Sequence, residues 1–299
     1  MKAVVFDGPY KISVQDRPIP QIQNPEDVIV KVNMTALCGS GQCYFCQNGG
    51  SARCVNSQPL GSPKLDGAQA EYVRIPYADG TIIKAPEGIH DQALILMADI
   101  FPTGYFGVQS GMEMMPKLSL QDATIVVVGC GPVGLCAVVA ASALKPKHLF
   151  AVDSVQSRLD QAAKIGAEPL NFMEDREGMI ERVKAVTDGR GADIVVEVVG
   201  LSPALRTAFD LVRSFGAISS IGVHNAEIPW SGTDAYNKNV RLQMGRCPVR
   251  SIFHEAMEVL KQKQDSLGFL FENILPLSDA VRGYELFNQS KVQKVIFQA

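Results

Sequence analysis

The sequence predicts an α/β fold: a doubly wound parallel sheet preceded by a smaller β-rich domain. Three observations carry this. From about residue 120, β-branched runs alternate with amphipathic helical patterns, the signature of parallel strands joined by helical crossovers. A G-x-G-x-x-G run at Gly129, Gly131 and Gly134 sits where the first such strand turns into a helix. Residues 1 to about 100 instead carry short, partly alternating segments separated by Gly, Pro, Asn and Asp, which read as strands and turns.

The elements follow in order. The N-terminus, "MKAVVFDGPYKISVQDRPIP", reads as strand, turn, strand, and "DVIVKV", "AEYVRI" and "TIIKAP" as further strands. Cysteines and glycines make 38–67 loop-like. "ATIVVVG" is a strand followed by a helix from near Pro132. "HLFAVD" is the next strand, and "SVQSRLDQAAKIGAE" a helix whose apolar face is Leu159, Ala162, Ala163 and Ile165, ended by Gly166. "DREGMIERVKAVTDGRG" is a helix and "ADIVVEVVG" a strand with an apolar core. "SPALRTAFDLVRSFG" is a helix with Ser202 as candidate N-cap and Pro203 at the first helical position. "GAISSIG" is a strand, and the chain closes with a capped helix and a last strand in "LPLSDAVRGYELFNQSKVQKVIFQA".

Composition narrows the function classes. The 299 residues are 46% hydrophobic with net charge −3, so no basic surface draws nucleic acid or an anionic membrane. Ala123–Leu144 is uncharged and long enough to span a bilayer. Its central glycines and proline fit a buried strand, a tight turn and a buried helix better. With no apolar signal core at the start, a cytoplasmic chain with reduced thiols is expected, and clustered thiols there suggest metal rather than disulfide.

The glycine run has a dinucleotide reading. Gly129 permits the tight turn, Gly131 lets backbone approach a pyrophosphate, and Gly134 lets helix and strand pack closely. The helix start at Pro132 and Val133 offers positive dipole to phosphate, and free N–H groups from Val133 onward, since proline has none. Asp153 ends the next strand, 19 residues after Gly134. A carboxylate there accepts from both ribose hydroxyls and repels a 2′-phosphate, favouring NAD over NADP. Arg158 could offset that repulsion or stack on adenine. The plainer alternative makes the glycines an ordinary turn and Asp153 a helix cap.

Four of the seven cysteines lie in "LCGSGQCYFCQNGGSARC", at Cys38, Cys43, Cys46 and Cys54. Structural zinc takes four tetrahedral ligands. Cys43, Cys46 and Cys54 supply three, and Cys38 is the nearby candidate for a fourth. The alternative is a metal-free loop of reduced cysteines. Cys130, Cys136 and Cys247 are isolated and read as small buried apolar residues.

Together these segments resemble the medium-chain, zinc-type alcohol dehydrogenases, which join a GroES-like catalytic domain to a Rossmann cofactor domain. "PEDVIVKVNMTALCGS" resembles the family's approach to the catalytic metal, "GQCYFCQNGGSARC" its structural zinc lobe, and "LDGAQAEYVRIP" with "MADIFPTGYFGV" the return towards the cleft. "VVVGCGPVGLCAV", "SDAVRGYELF" and "KVQKVIF" match its cofactor turn and C-terminal elements, and "ADIFPTGY" is most similar to the formaldehyde-dehydrogenase-like branch.

The resemblance implies a catalytic domain over 1–104, an NAD-binding Rossmann domain over 105–268, and a C-terminal return over 269–299. It implies Cys38 as first ligand of a catalytic zinc, Ser40 as the hydroxyl that relays the alcohol proton, and Asp99 as a carboxylate near the metal. Thr103 is then a nicotinamide contact, Arg246 lies near the cofactor, and Cys43, Cys46 and Cys54 are three of four structural-zinc ligands. A small alcohol or aldehyde substrate and a homodimer or homotetramer are implied as well.

One departure stands out. In the family several dozen residues separate the "LCGS" segment from the structural cysteines, including a Gly-His-Glu motif, barrel strands and the first structural cysteine. Here "LCGS" runs straight into "GQCYFC", so the GroES-like barrel is expected to be truncated at the 40/41 junction. The four histidines are His90, His148, His224 and His254, none within 1–89. A catalytic zinc left with Cys38 and Asp99 lacks the third protein ligand that such sites keep. The expectation is an NAD-dependent dehydrogenase by descent with impaired activity and both zinc sites incomplete. Alternatives are a non-catalytic NAD-binding protein, a zinc-free quinone-reductase-like oxidoreductase, or a splicing or gene-model product. Cys38 could also close a hybrid site with the other three cysteines.

Overall fold

The computed structural model describes residues 1–9, 11–32, 42–289 and 291–299. The chain divides into two compact units, Met1–Asp99 with Pro248–Ala299, and Ile100–Cys247. The first unit begins with β1 (Lys2–Gly8), β2 (Lys11–Asp16) and β3 (Val28–Lys31), then α1 (Tyr44–Gln47), β4 (Tyr72–Ile75), α2 (Ala78–Thr81) and α3 (Asp91–Leu94). β1 pairs antiparallel with β2, and β3 with β4. The "TIIKAP" segment forms no strand, only the end of α2 and irregular chain. Its alternation is too short to form a strand without a partner, and none of the described strands pairs with it.

The second unit is built from α4 (Ile100–Glu113), β5 (Thr124–Val128), α5 (Pro132–Leu144), β6 (His148–Asp153), α6 (Gln156–Ile165), β7 (Glu168–Asn171), α7 (Arg176–Ala185), β8 (Ala192–Glu197), α8 (Ser202–Leu211), β9 (Val212–Ser220), α9 (Gly232–Lys238) and β10 (Arg241–Met244). Six strands form one sheet in the order β10-β9-β8-β5-β6-β7, every pair parallel. Chain order reverses between β5 and β8, which is the doubly wound Rossmann arrangement. Every residue of β5 and β8 is buried, and Val126, Phe150, Val195, Leu205 and Ile218 share one core cluster. The apolar run Ala123–Leu144 thus divides into β5, a turn and α5. No helix among the described residues is long and apolar enough to cross a membrane.

Helices α8 and α6 differ from the sequence expectation. The N-cap of α8 is Leu201, not Ser202, and Pro203 sits one position further in. Ser202 Oγ instead donates to the Glu227 carbonyl at 2.7 Å. The helix also stops at Leu211, because Val212 already pairs with Ala192 in the sheet. Of the expected apolar face of α6, Leu159 and Ala162 are buried but Ala163 is exposed, and Gly166 ends the helix at φ +104°.

The chain returns to the first unit with α10 (Val249–Lys263), β11 (Ile274–Pro276), α11 (Ala280–Asn288) and β12 (Ile296–Gln298). β11 pairs parallel with β12. α10 packs on the lobe that follows α1, where Ser51 and Ser251 exchange hydrogen bonds at 3.4 and 3.2 Å. Buried Asp27 is held by the Gln23 and Asn24 amides and by Arg74, each at 3.0 Å.

Candidate cofactor and metal sites

The carboxyl edge of the sheet in the second unit gathers the residues of the glycine turn. β5 ends at Val128, and Gly129 turns the chain at φ +97°, a conformation that only glycine adopts freely. A Cβ at Gly134 would lie 1.8 Å from the Gly129 carbonyl oxygen, so α5 and β5 can approach this closely only without one. At Gly131 the opposite holds: a Cβ there would meet nothing within 4 Å. Gly131 is the N-cap of α5, Pro132 and Val133 form its first positions, and no side chain caps it. Open space over uncapped amides at the positive end of a helix suits a pyrophosphate.

Asp153 closes β6 beside this turn and is buried. Its Oδ2 accepts from the Cys130 amide at 2.7 Å, and its Oδ1 from the Ser154 and Val155 amides at 2.8 and 2.9 Å. Arg158 Nη1 stands 3.7 Å from Oδ2. A carboxylate has about four lone-pair positions, so acceptor capacity remains. Burial, with the Asp153 charge added, pushes the Cys130 thiol far up. Cys130, Cys136 and Cys247 are all buried.

Thr103 lies in α4, which crosses α5 closely at Gly104: a Cβ there would be 2.8 Å from the Val133 carbonyl oxygen. Arg246 is exposed just beyond β10. Cys247 next to it donates from Sγ to the Pro102 carbonyl at 3.4 Å.

Sequence reasoning missed Glu197 at the end of β8. It is fully buried, its Oε1 accepts from the Val199 and Gly200 amides at 2.7 Å each, and its Oε2 accepts from Ser220 Oγ at 2.6 Å. The available signal was an acid at the last position of an apolar strand, three residues before a glycine.

In the first unit, Cys43, Cys46 and Cys54 bring their sulfurs within 4.8 Å of one another, with Cys43 and Cys46 at 3.6 Å. A Zn–S bond of about 2.3 Å puts tetrahedral sulfurs roughly 3.8 Å apart, so the three thiols fit zinc. The backbone amides of Cys46 and Val55 pull the Cys43 thiol down to about 7, towards the thiolate that binds metal. The spacing explains the geometry: Cys43 caps α1, Cys46 lies within it, and Cys54 follows the turn Ser51–Arg53. A cleft of about 300 Å³ beside this lobe is lined by Cys46, Asp79, Arg250, Ser251 and His254. This is the one group of three or more metal-ligating side chains among the described residues, and exposed Asp99 is not part of it. Cys38 and Ser40 lie outside the described residues.

Comparison with known proteins gives concordant results. The zinc-binding dehydrogenase family profile matches residues 132–262. The chain is 53% identical to zinc-type alcohol dehydrogenase B of Aspergillus flavus over 348 aligned residues, covering 100% of this chain and 81% of that protein. It is 46% identical to a medium chain reductase/dehydrogenase of Acremonium sp over 286 residues, covering 79% of this chain and 98% of the relative. Among solved structures, alcohol dehydrogenase TADH from Thermus sp. ATN1 superposes with a TM-score of 0.90 at 26% identity, covering 100% of this chain and 99% of that one.

Proposed function

The chain belongs to the zinc-type alcohol dehydrogenases, medium-chain oxidoreductases, and from that premise we propose that it keeps a complete NAD site while its catalytic metal site is incomplete. The observation that carries the first half is the open, uncapped α5 terminus at Gly131 beside buried Asp153. In this reading the Val133 and Gly134 amides hold the pyrophosphate and Asp153 accepts from the adenosine ribose. The Asp153 charge disfavours a 2′-phosphate, and Arg158 is already drawn towards that carboxylate. Thr103 and Arg246 serve the nicotinamide end.

The second half rests on what is not in the sequence. No histidine occurs in residues 1–89. The alignment to the Aspergillus relative runs over 348 residues, at least 49 more than the 299 of this chain, which supports residues missing relative to it; the juxtaposition of "LCGS" and "GQCYFC" is what points to the 40/41 junction. The described strands of the first unit, in separate two-stranded pairs, fit a barrel lacking its central strands. Zinc, when bound, supplies Lewis-acid chemistry that lowers the pKa of an alcohol hydroxyl. Of the residues that serve it, Cys38, Ser40 and Asp99 remain, while Cys43, Cys46 and Cys54 hold a structural ion with three sulfurs. Alcohol oxidation by NAD+ is therefore impaired or lost. A small alcohol or aldehyde substrate, a homodimer or homotetramer and a cytoplasmic setting complete the reading. The missing histidine equally favours a second reading, a non-catalytic NAD-binding protein.

The test is alcohol-dependent NADH formation with zinc content measured on the same sample and NAD+ binding by calorimetry. Bound NAD+ with weak or absent turnover is expected. Robust turnover with a full catalytic zinc overturns the impairment, and no binding at millimolar NAD+ sinks both readings.

A further inference from the structure

We propose that Glu197 is a positioning residue for the nicotinamide half of the dinucleotide, acting through the loops that end β8 and β9. This rests on the dinucleotide reading above. Glu197 is a fully buried acid in a strand whose every residue is buried. Its carboxylate has three donors on two different segments: the Val199 and Gly200 amides after β8, and Ser220 Oγ at the end of β9. One side chain therefore ties both strand ends together.

What it ties borders the glycine turn. A Cβ on Gly129 would lie 2.5 Å from Val199 Cγ2, so the Val199 side chain sits against the turn itself. Gly200 takes φ +79°, and its own Cβ would be 2.5 Å from the Val223 carbonyl oxygen; one on Gly222 would be 2.2 Å from the Gly200 amide nitrogen. The two loops thus close on each other through paired glycines, leaving the apolar side chains Val199 and Val223 exposed, at 44% and 81%. In a doubly wound sheet the dinucleotide crosses the switch point, here between β5 and β8. Asp153 serves the β6 side, so the β8–β9 loops face the other half of the cofactor. Without the carboxylate, the Val199 and Gly200 amides lose their acceptor, and the loop that sets Val199 beside Gly129 is left with the Val198 amide to Val128 carbonyl bond and its glycine contacts.

The experiment is calorimetric titration of the full chain with NAD+ and separately with AMP, which probes only the Asp153 half. The variants are Glu197→Ala, Glu197→Gln and Ser220→Ala, with the melting temperature of each recorded without ligand. Glu197→Ala is expected to weaken NAD+ by about tenfold while AMP stays within about twofold. Glu197→Gln should restore most of the NAD+ affinity, because its carbonyl oxygen can still accept from both amides. Ser220→Ala, which removes one donor of three, should weaken NAD+ by about threefold and carries the test should Glu197→Ala fail to fold. Unchanged NAD+ affinity, or parallel loss of NAD+ and AMP, overturns the proposal. A wild-type chain that binds neither nucleotide overturns the underlying reading with it.

Discussion

The two units of this chain solve the same problem, burying strands, with very different success. In the Ile100–Cys247 unit every residue of β5 and β8 is buried, with neighbours on both edges. In the other unit β1 and β2 together bury only Ala3, and Phe6 is 72% exposed. Beyond its pairing with β2, β1 meets the 69–71 segment in a single bridge, Ala3 with Ala70, and such short pairings are marginal alone. The cofactor unit is held by its own core. The first unit buries its apolar residues mostly outside its strands, among them Leu96, Met97, Leu260, Leu267 and Leu270, and adds a few polar anchors: the Asp27 carboxylate, the Ser51–Ser251 exchange and the thiol lobe. On the reading proposed above, a barrel that loses strands also loses the partners of those that remain, whereas a parallel sheet with its own crossover helices does not.

Substitutions can sharpen this contrast, from the largest effect to the smallest. Gly134→Val drives a side chain into the Gly129 carbonyl. It should cost more than about 4 kcal/mol and abolish NAD+ binding, as read by denaturant melts and calorimetry. Arg74→Met leaves the buried Asp27 carboxylate without its cation and should cost the first unit about 3 kcal/mol, the cofactor unit keeping its own transition.

Acid probes the same anchor. Burial pushes the Asp27 carboxyl up, but the Gln23 and Asn24 amides and Arg74 outweigh it and hold the group below its ordinary 3.8. The folded value lies below the unfolded one, so the stabilisation is complete above 3.8 and is lost as pH falls through the folded value. An acid melt of wild type against Arg74→Met should show that loss at higher pH in the variant.

Asp153→Ala removes the acceptor of three amides. It should cost about 2 kcal/mol and weaken NAD+ markedly, measured by the same titration. Phe215→Gly runs the other way. Phe215 is exposed and holds φ +58°, so glycine should stabilise the cofactor unit by about 1 kcal/mol in a thermal melt.

The cofactor unit was the more legible part because its signals are local. Gly129, Gly131, Gly134 and Asp153 stand at fixed spacings; the glycines act within the turn they form, and Asp153 reaches that turn from the end of the adjacent strand through the Cys130 amide. The cysteine lobe was legible for the same reason, since Cys43 and Cys46 sit one helical turn apart. What the sequence hid is non-local. "TIIKAP" alternates like a strand but has no strand partner among the described residues. The α8 helix reads on to Gly216 by apolar spacing, yet Val212 is claimed by Ala192 across the sheet. Glu197 carries no mark of its own inside "ADIVVEVVG", and only the packing of β9 beside it, with Ser220 opposite, makes it a buried anchor.

The contrast between the units is tested most directly by hydrogen exchange on the full chain, with and without NAD+. Slow exchange is expected throughout β5, β6, β8 and β9, fast exchange in β1–β4, and added protection with NAD+ at 129–134 and 198–200. Equal protection in the two units, or no change at the glycine turn when NAD+ is added, would contradict it.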